Sequence, residues 1–331
     1  MNQNKFLLII VSMILVGCAT NKSKNDSFDR FISNPPIHLN TDITYFKNIA
    51  YDTSQLTVFD MIVPENTKSV PLVIFIHGGG FTGGDKSDVY TQGRFSDEIE
   101  ALTAKGIAFA TINYRLLGAR DVSNIMGCLN DSKRCLQFIK YHAKDLNIDE
   151  SRIGLYGGSA GAGTSLWLGM SGDMSNSTST DPIERKSTRV KAVAAYASQS
   201  TYDLEKWDDV FHEFGMTDAD VSNILGTQKI ARFYGVSSKG DLETKEIAAM
   251  RKNIDLLELI TSDDPPLWIH SPNKTSDKPK DMNQLFHHYR HGEALYIKSN
   301  SSEIDSYAKM PAKPFQSDNW IELVPFFIKY L

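Results

Sequence analysis

Cysteine is scarce in this 331-residue chain, which holds three. Cys18 stands alone near the N-terminus, and Cys128 and Cys135 lie seven positions apart. If one helix carried both, they would be about 10 Å apart and could not be bridged. Only a Cys128 placed ahead of the helix could be oxidised with Cys135, so free thiols are the expectation. No Cys/His cluster has zinc-ligand spacing, so no metal site is expected. An excess of positive charge is also missing. Lys and Arg total 35 against 40 Asp and Glu, a net charge of -5, which offers no basic patch for a nucleic acid. The apolar run from Phe6 to Val16 is too short to cross a bilayer as a permanent helix.

That run instead has the layout of a signal peptide, with Lys5 ahead of it. It ends in Leu15-Val16-Gly17-Cys18, which resembles a bacterial lipobox. The resemblance implies a signal of residues 1–17, cleavage before Cys18 and lipidation of that cysteine. Ala19 follows with no aspartate beside the cysteine. By resemblance to Gram-negative lipoproteins, this points to the outer membrane. Residues 18–40, rich in Asn, Lys, Ser and Asp after the cysteine, read as a flexible tether. Residues 41–331 are ample for one large domain.

The domain is organised around Gly157-Gly158-Ser159-Ala160-Gly161. An apolar strand precedes this Gly-x-Ser-x-Gly pattern and a helix follows it, so the serine stands on a sharp turn with Oγ clear of the sheet. A helix N-terminus at the same point favours developing negative charge. Upstream, the apolar run from Val70 to Ile76 empties into His77-Gly78-Gly79-Gly80-Phe81. Backbone N–H groups of such a loop can complete an oxyanion hole with the N–H of Ala160. Together the two motifs resemble the α/β-hydrolase superfamily, near its hormone-sensitive-lipase-like and carboxylesterase branch, from about Asn48 to Leu331. The resemblance implies a mostly parallel sheet flanked by helices. It also implies Ser159 as nucleophile, an oxyanion hole of Gly79, Gly80 and Ala160, and no cofactor.

The remaining elements follow in order. Asn48 to Tyr51 and Leu56 to Val63 suggest a hairpin, and Ile107 to Asn113 a fourth strand. Asn113-Tyr114-Arg115 is expected to brace the glycine loop, as in related esterases. An amphipathic helix is predicted over Ser132 to Asp145, and strands over Val190 to Ala197 and Leu267 to His270. Between those two strands, residues 199–262 read as a helical lid in which Trp207, Phe211, Phe214, Phe233 and Tyr234 either line an acyl pocket or pack the lid on the body.

One expected feature is absent. In the superfamily the histidine follows strand eight near the C-terminus, but the forty residues after His291 contain none. Three readings remain open. In the favoured one, the base moves to the cluster Phe286-His287-His288-Tyr289-Arg290-His291. His287 or His288 would then be the base, His288 being preferred, with Asp277 or Asp281 as the orienting acid and Asp277 taken first. In the second, the chain is a degenerate hydrolase acting as an envelope binding protein. In the third, His77 is the base. The expected activity is hydrolysis of a small or medium acyl ester, for which an acylated sugar would suit an envelope location, by an enzyme tethered to the membrane through Cys18.

Overall fold

The computed structural model describes residues 28–66 and 68–331. Cys18 and the signal segment lie outside the described residues. Nine strands form one sheet in the order β1-β2-β4-β3-β5-β6-β7-β8-β9. They are β1 (Ile43–Ala50), β2 (Val58–Pro64), β3 (Val70–Ile76), β4 (Ala108–Ile112), β5 (Ile148–Gly158), β6 (Ala192–Tyr196), β7 (Leu267–His270), β8 (Ser306–Met310) and β9 (Phe315–Gln316). The inner pairings from β4 to β8 are parallel. The β1–β2, β2–β4 and β8–β9 pairings are antiparallel.

The helices are α1 (Gly93–Thr103), α2 (Ile125–Tyr141), α3 (Ala160–Met170), α4 (Trp207–Val210), α5 (Asp218–Leu225) and α6 (Thr227–Tyr234). They continue as α7 (Lys245–Asn253), α8 (Leu256–Leu259), α9 (Met282–His287), α10 (Tyr289–Ser301) and α11 (Leu323–Tyr330). Alternation along β3 sends Leu72, Ile74 and Ile76 into the core beneath α2 and α3. Val73 and Phe75 point to the opposite core, which holds Phe95 and Ile99 of α1 and Phe326 and Phe327 of α11. A sheet buried on both faces explains why its central strands read as continuous apolar runs. This is the expected α/β-hydrolase arrangement, with a helical segment, α4 to α8, between β6 and β7.

Two expectations shift. The ordered body begins before residue 41. Phe28 packs edge-on against Phe138, Ile32 bridges Phe46, and the Asn40 amide donates to Glu100. Apolar residues spaced through a polar stretch hold the second part of the expected tether on the domain. Helix α2 also starts earlier than predicted, at Ile125, because Asn124 caps it by accepting from the Met126 N–H. Cys128 and Cys135 therefore share one helix and are free, buried thiols.

Candidate active site

Strand β5 delivers Ser159 to the first turn of α3 with φ 53° and ψ -120°. This is a conformation that side-chain-bearing residues rarely adopt, and the surroundings must enforce it. A Cβ on Gly161 would lie 1.9 Å from the Ile76 carbonyl oxygen, so only glycine lets α3 sit this close to β3. Tyr202 donates to the Ala160 carbonyl at 2.5 Å and pins the helix from the other side.

The glycine loop follows β3. Gly79 and Gly80 have φ of 102° and 59°, in the region that favours glycine. Among the described residues, the N–H groups of Gly79, Gly80 and Ala160 donate to no protein acceptor. All three residues line one cavity of about 650 Å³ together with Ser159. His77 is part of the loop's frame. Its Nδ1 lies 2.8 Å from the Gly78 carbonyl oxygen, and its ring stacks on Tyr114 at 4.4 Å. Tyr114 in turn donates to the His77 carbonyl, which is the bracing expected of Asn113-Tyr114-Arg115. His77 is thus tied to its own loop rather than to Ser159.

The histidine cluster separates into three environments. Ser159 Oγ lies 2.8 Å from His287 Nε2. His287 Nδ1 lies 3.0 Å from Asn283 Oδ1, one turn back on α9. An amide oxygen only accepts, so Nδ1 carries the proton and Nε2 is left free to accept from the serine hydroxyl. Burial lowers the His287 pKa from 6.5, with a hydrogen bond to the Asn283 backbone opposing the shift. The ring is therefore neutral near pH 7, which is the form that can take a proton.

His288, the preferred base, does not reach the serine. The chain breaks from helical geometry there, with ψ 144°, and His288 becomes the N-cap of α10, accepting from the Arg290 N–H through Nδ1. Its Nε2 donates to the Asp277 carbonyl oxygen, and Phe211 and Phe214 pack edge-on against the ring. Asp277 therefore meets a histidine through its backbone, and that histidine is the wrong one for a triad. Asp281 is not an orienting acid either, because its carboxylate caps α9 at the Gln284 N–H. The amide of Asn283 occupies the position where an acid was expected.

His291 is fully buried and structural. Its Nδ1 lies 2.9 Å from Ser200 Oγ and its Nε2 3.0 Å from the Leu285 carbonyl, tying the start of α10 and the end of α9 to the loop after β6. Burial pushes its pKa down to about 3, consistent with a neutral ring. Gln199 adds a second tie by donating to the Phe286 carbonyl at 2.9 Å, next to His287. The roles of Asn283 and Gln199, and the structural role of His291, were not legible in the sequence. The i,i+4 spacing of Asn283 and His287 was the one signal available.

The cavity wall comes mainly from the β6–β7 segment. Trp207, Leu225, Ile230 and Phe233 line it, with Leu117 and Phe286 completing an apolar chamber. Of the aromatic residues expected at a pocket or at packing contacts, Trp207 and Phe233 face the cavity. Phe211 and Phe214 pack on His288, and Tyr234 is buried with its hydroxyl accepting from the Leu204 N–H.

A family model described as BD-FAE matches residues 59–287. Gut esterase 1 of Caenorhabditis elegans is 29% identical over 129 residues, covering 37% of this chain and 22% of that protein. Against a second curated relative the covered share is 27%, so the chain spans about a quarter of the length of these proteins. Among solved structures, a truncated carbohydrate esterase from gut microbiota superposes with a TM-score of 0.59 at 15% identity, covering 91% of this chain and 97% of that one. An acetyl ester-xyloside bifunctional hydrolase from Caldicellulosiruptor lactoaceticus gives a TM-score of 0.52 at 19% identity, covering 76% of each chain. At these identities the two structures establish the fold.

Proposed function

Because this chain belongs to the BD-FAE family, whose model covers residues 59–287 and so includes the serine turn and His287, we propose that it is a serine-dependent carboxylic-ester hydrolase. The observation that carries the reading is the 2.8 Å approach of His287 Nε2 to Ser159 Oγ, beside three undonated N–H groups. Ser159 Oγ attacks the acyl carbon while its proton passes to His287 Nε2. Asn283 holds the ring in the tautomer that makes this possible, as an amide does in Cys-His-Asn proteases. The N–H groups of Gly79, Gly80 and Ala160 take the negative charge that develops on the carbonyl oxygen. Collapse of the tetrahedral intermediate breaks the ester C–O bond, and the departing alcohol takes the proton from His287. Water then repeats the sequence on the acyl-enzyme, releasing the carboxylic acid and regenerating Ser159.

The apolar chamber suits a small or medium acyl group, with the helical segment 199–262 acting as a lid above it. The named activities of the structural neighbours, a carbohydrate esterase and an acetyl ester-xyloside hydrolase, fit an acylated sugar as substrate. Lipidation at Cys18 would hold the enzyme on the cell envelope, at the outer membrane. A binding protein that had lost catalysis would have no use for a strained serine held against a histidine of correct tautomer. The test is pre-steady-state hydrolysis of p-nitrophenyl acetate. An acyl-enzyme route gives a burst of p-nitrophenol stoichiometric with active sites, and Ser159→Ala abolishes it. Steady hydrolysis that survives Ser159→Ala would reject the reading.

A further inference from the structure

The charge at the catalytic cavity is opposite to that of the whole molecule. The chain is net acidic, yet the cavity is lined by no carboxylate and by two cations, Lys229 and Arg232. They lie three positions apart on α6, which sets them on one side of the helix. Neither pairs with a carboxylate among the described residues. Arg232 donates from Nη2 to the Leu117 carbonyl at 2.6 Å, which fixes the guanidinium at the cavity rim. The Lys229 ammonium lies 2.9 Å from the Met282 sulfur, a weak acceptor that leaves its charge uncompensated. Lys239 and Arg251, on neighbouring parts of the same segment, do have acidic partners, Asp218 and Asp203.

Resting on the ester-hydrolase reading, we propose that the site selects esters whose alcohol portion carries a carboxylate, the acylated uronic acids being the fitting class of sugar. The apolar chamber formed by Trp207, Ile230, Phe233 and Phe286 takes the acyl group, because burial there would leave a charge unpaired. The exposed rim is left for the alcohol portion, where Arg232 and Lys229 meet its carboxylate. A fixed guanidinium with free N–H groups suits carboxylate recognition, and the lysine ammonium adds a point charge.

The experiment compares kcat/KM for the acetylated methyl glycoside of glucuronic acid with that for the matching acetylated methyl glucoside, in the full chain. The acidic ester is favoured about tenfold at low salt, as expected for charge-assisted hydrogen bonds at a partly exposed rim. The preference shrinks at about 0.5 M salt as the charges are screened. Lys229→Met and Arg232→Gln each pull the ratio toward one, the glutamine keeping a donor for the Leu117 carbonyl. A merely structural defect lowers both rates together and leaves the ratio unchanged, which would overturn the proposal. Equal rates for the two esters in the wild-type chain would overturn it while the esterase reading stands. A preference confined to hemisuccinate esters of a neutral alcohol would place the cations on the acyl side and overturn it as well. Failure to hydrolyse p-nitrophenyl acetate would overturn both readings.

Discussion

Asn283→Asp should make this enzyme faster and also more sensitive to acid. In the wild-type protein a neutral amide meets His287 Nδ1 at 3.0 Å, and no carboxylate supports the imidazolium that forms when Ser159 gives up its proton. Burial already disfavours that cation. A carboxylate at the same position would replace a neutral hydrogen bond, worth about 1 kcal/mol, with a charged one worth about 1.5–3 kcal/mol in favourable surroundings. Asn283 is exposed, so solvent screening reduces the net gain to about 1–2 kcal/mol, or roughly 5–30-fold in kcat. The fold should tolerate the change, because residue 283 sits in the first turn of α9, where an acid is favoured by the helix dipole. Asn283→Ala should lower kcat by about 2–10-fold, because the side-chain acceptor is lost and only the backbone of residue 283 is left to hold the ring. The pH dependence of kcat/KM gives an independent reading. Catalysis needs neutral His287, whose pKa is depressed, so the acidic limb of the wild type should fall below the ordinary histidine value of 6.5. In Asn283→Asp the carboxylate favours the protonated ring, so this limb should move to higher pH. Stopped-flow hydrolysis of p-nitrophenyl acetate between pH 4 and 8 measures both, with 4 and 8 as approximate bounds around a histidine titration. Unchanged rates and an unmoved limb in both variants would refute a role for Asn283.

The neighbouring sites give distinct outcomes. His288→Ala should lose about 2–3 kcal/mol of stability through the lost cap and the orphaned Asp277 carbonyl, yet keep its turnover per folded molecule; denaturant melts with active-site titration separate the two effects. Lys86→Met leaves the buried Asp60 carboxylate without its 2.8 Å partner and should cost about 3 kcal/mol, the Tyr45 hydroxyl and Asn48 N–H softening the loss; thermal melting would drop by several degrees. Cys18→Ser should release the chain from the membrane fraction of the expressing cell and abolish incorporation of labelled palmitate, whereas unchanged fractionation would reject lipidation.

The parts of this molecule that were readable in advance are those where one local rule decides the conformation. The apolar runs of β3 and β5, the triple glycine and the serine turn belong to that class, because buried strands and positive-φ turns leave strong marks in residue choice. The base did not. His287 and His288 are adjacent and equally polar, and the choice between them depends on a one-residue break between α9 and α10. Periodicity cannot register that break, because both helices carry similar patterns. What fixes it is tertiary: Ser200 and the Asp277 backbone hold the His291 and His288 rings, and Gln199 holds the Phe286 carbonyl. Asn283 carries no mark of its role in the sequence, because an amide satisfies the geometric requirement without the charge expected of a triad acid. The ordered stretch from Phe28 to Asn40 was hidden by its polar composition, although a few apolar side chains suffice to dock it.

The central claim is that Ser159 is a nucleophile activated by His287. Labelling of the folded chain with a fluorophosphonate, followed by peptide mass spectrometry, tests it most directly. A phosphonyl adduct on Ser159 that forms in the wild type and in His288→Ala, but is lost in His287→Ala, is the predicted result. An adduct that persists in His287→Ala, or a folded wild-type chain that takes up no label, would contradict it.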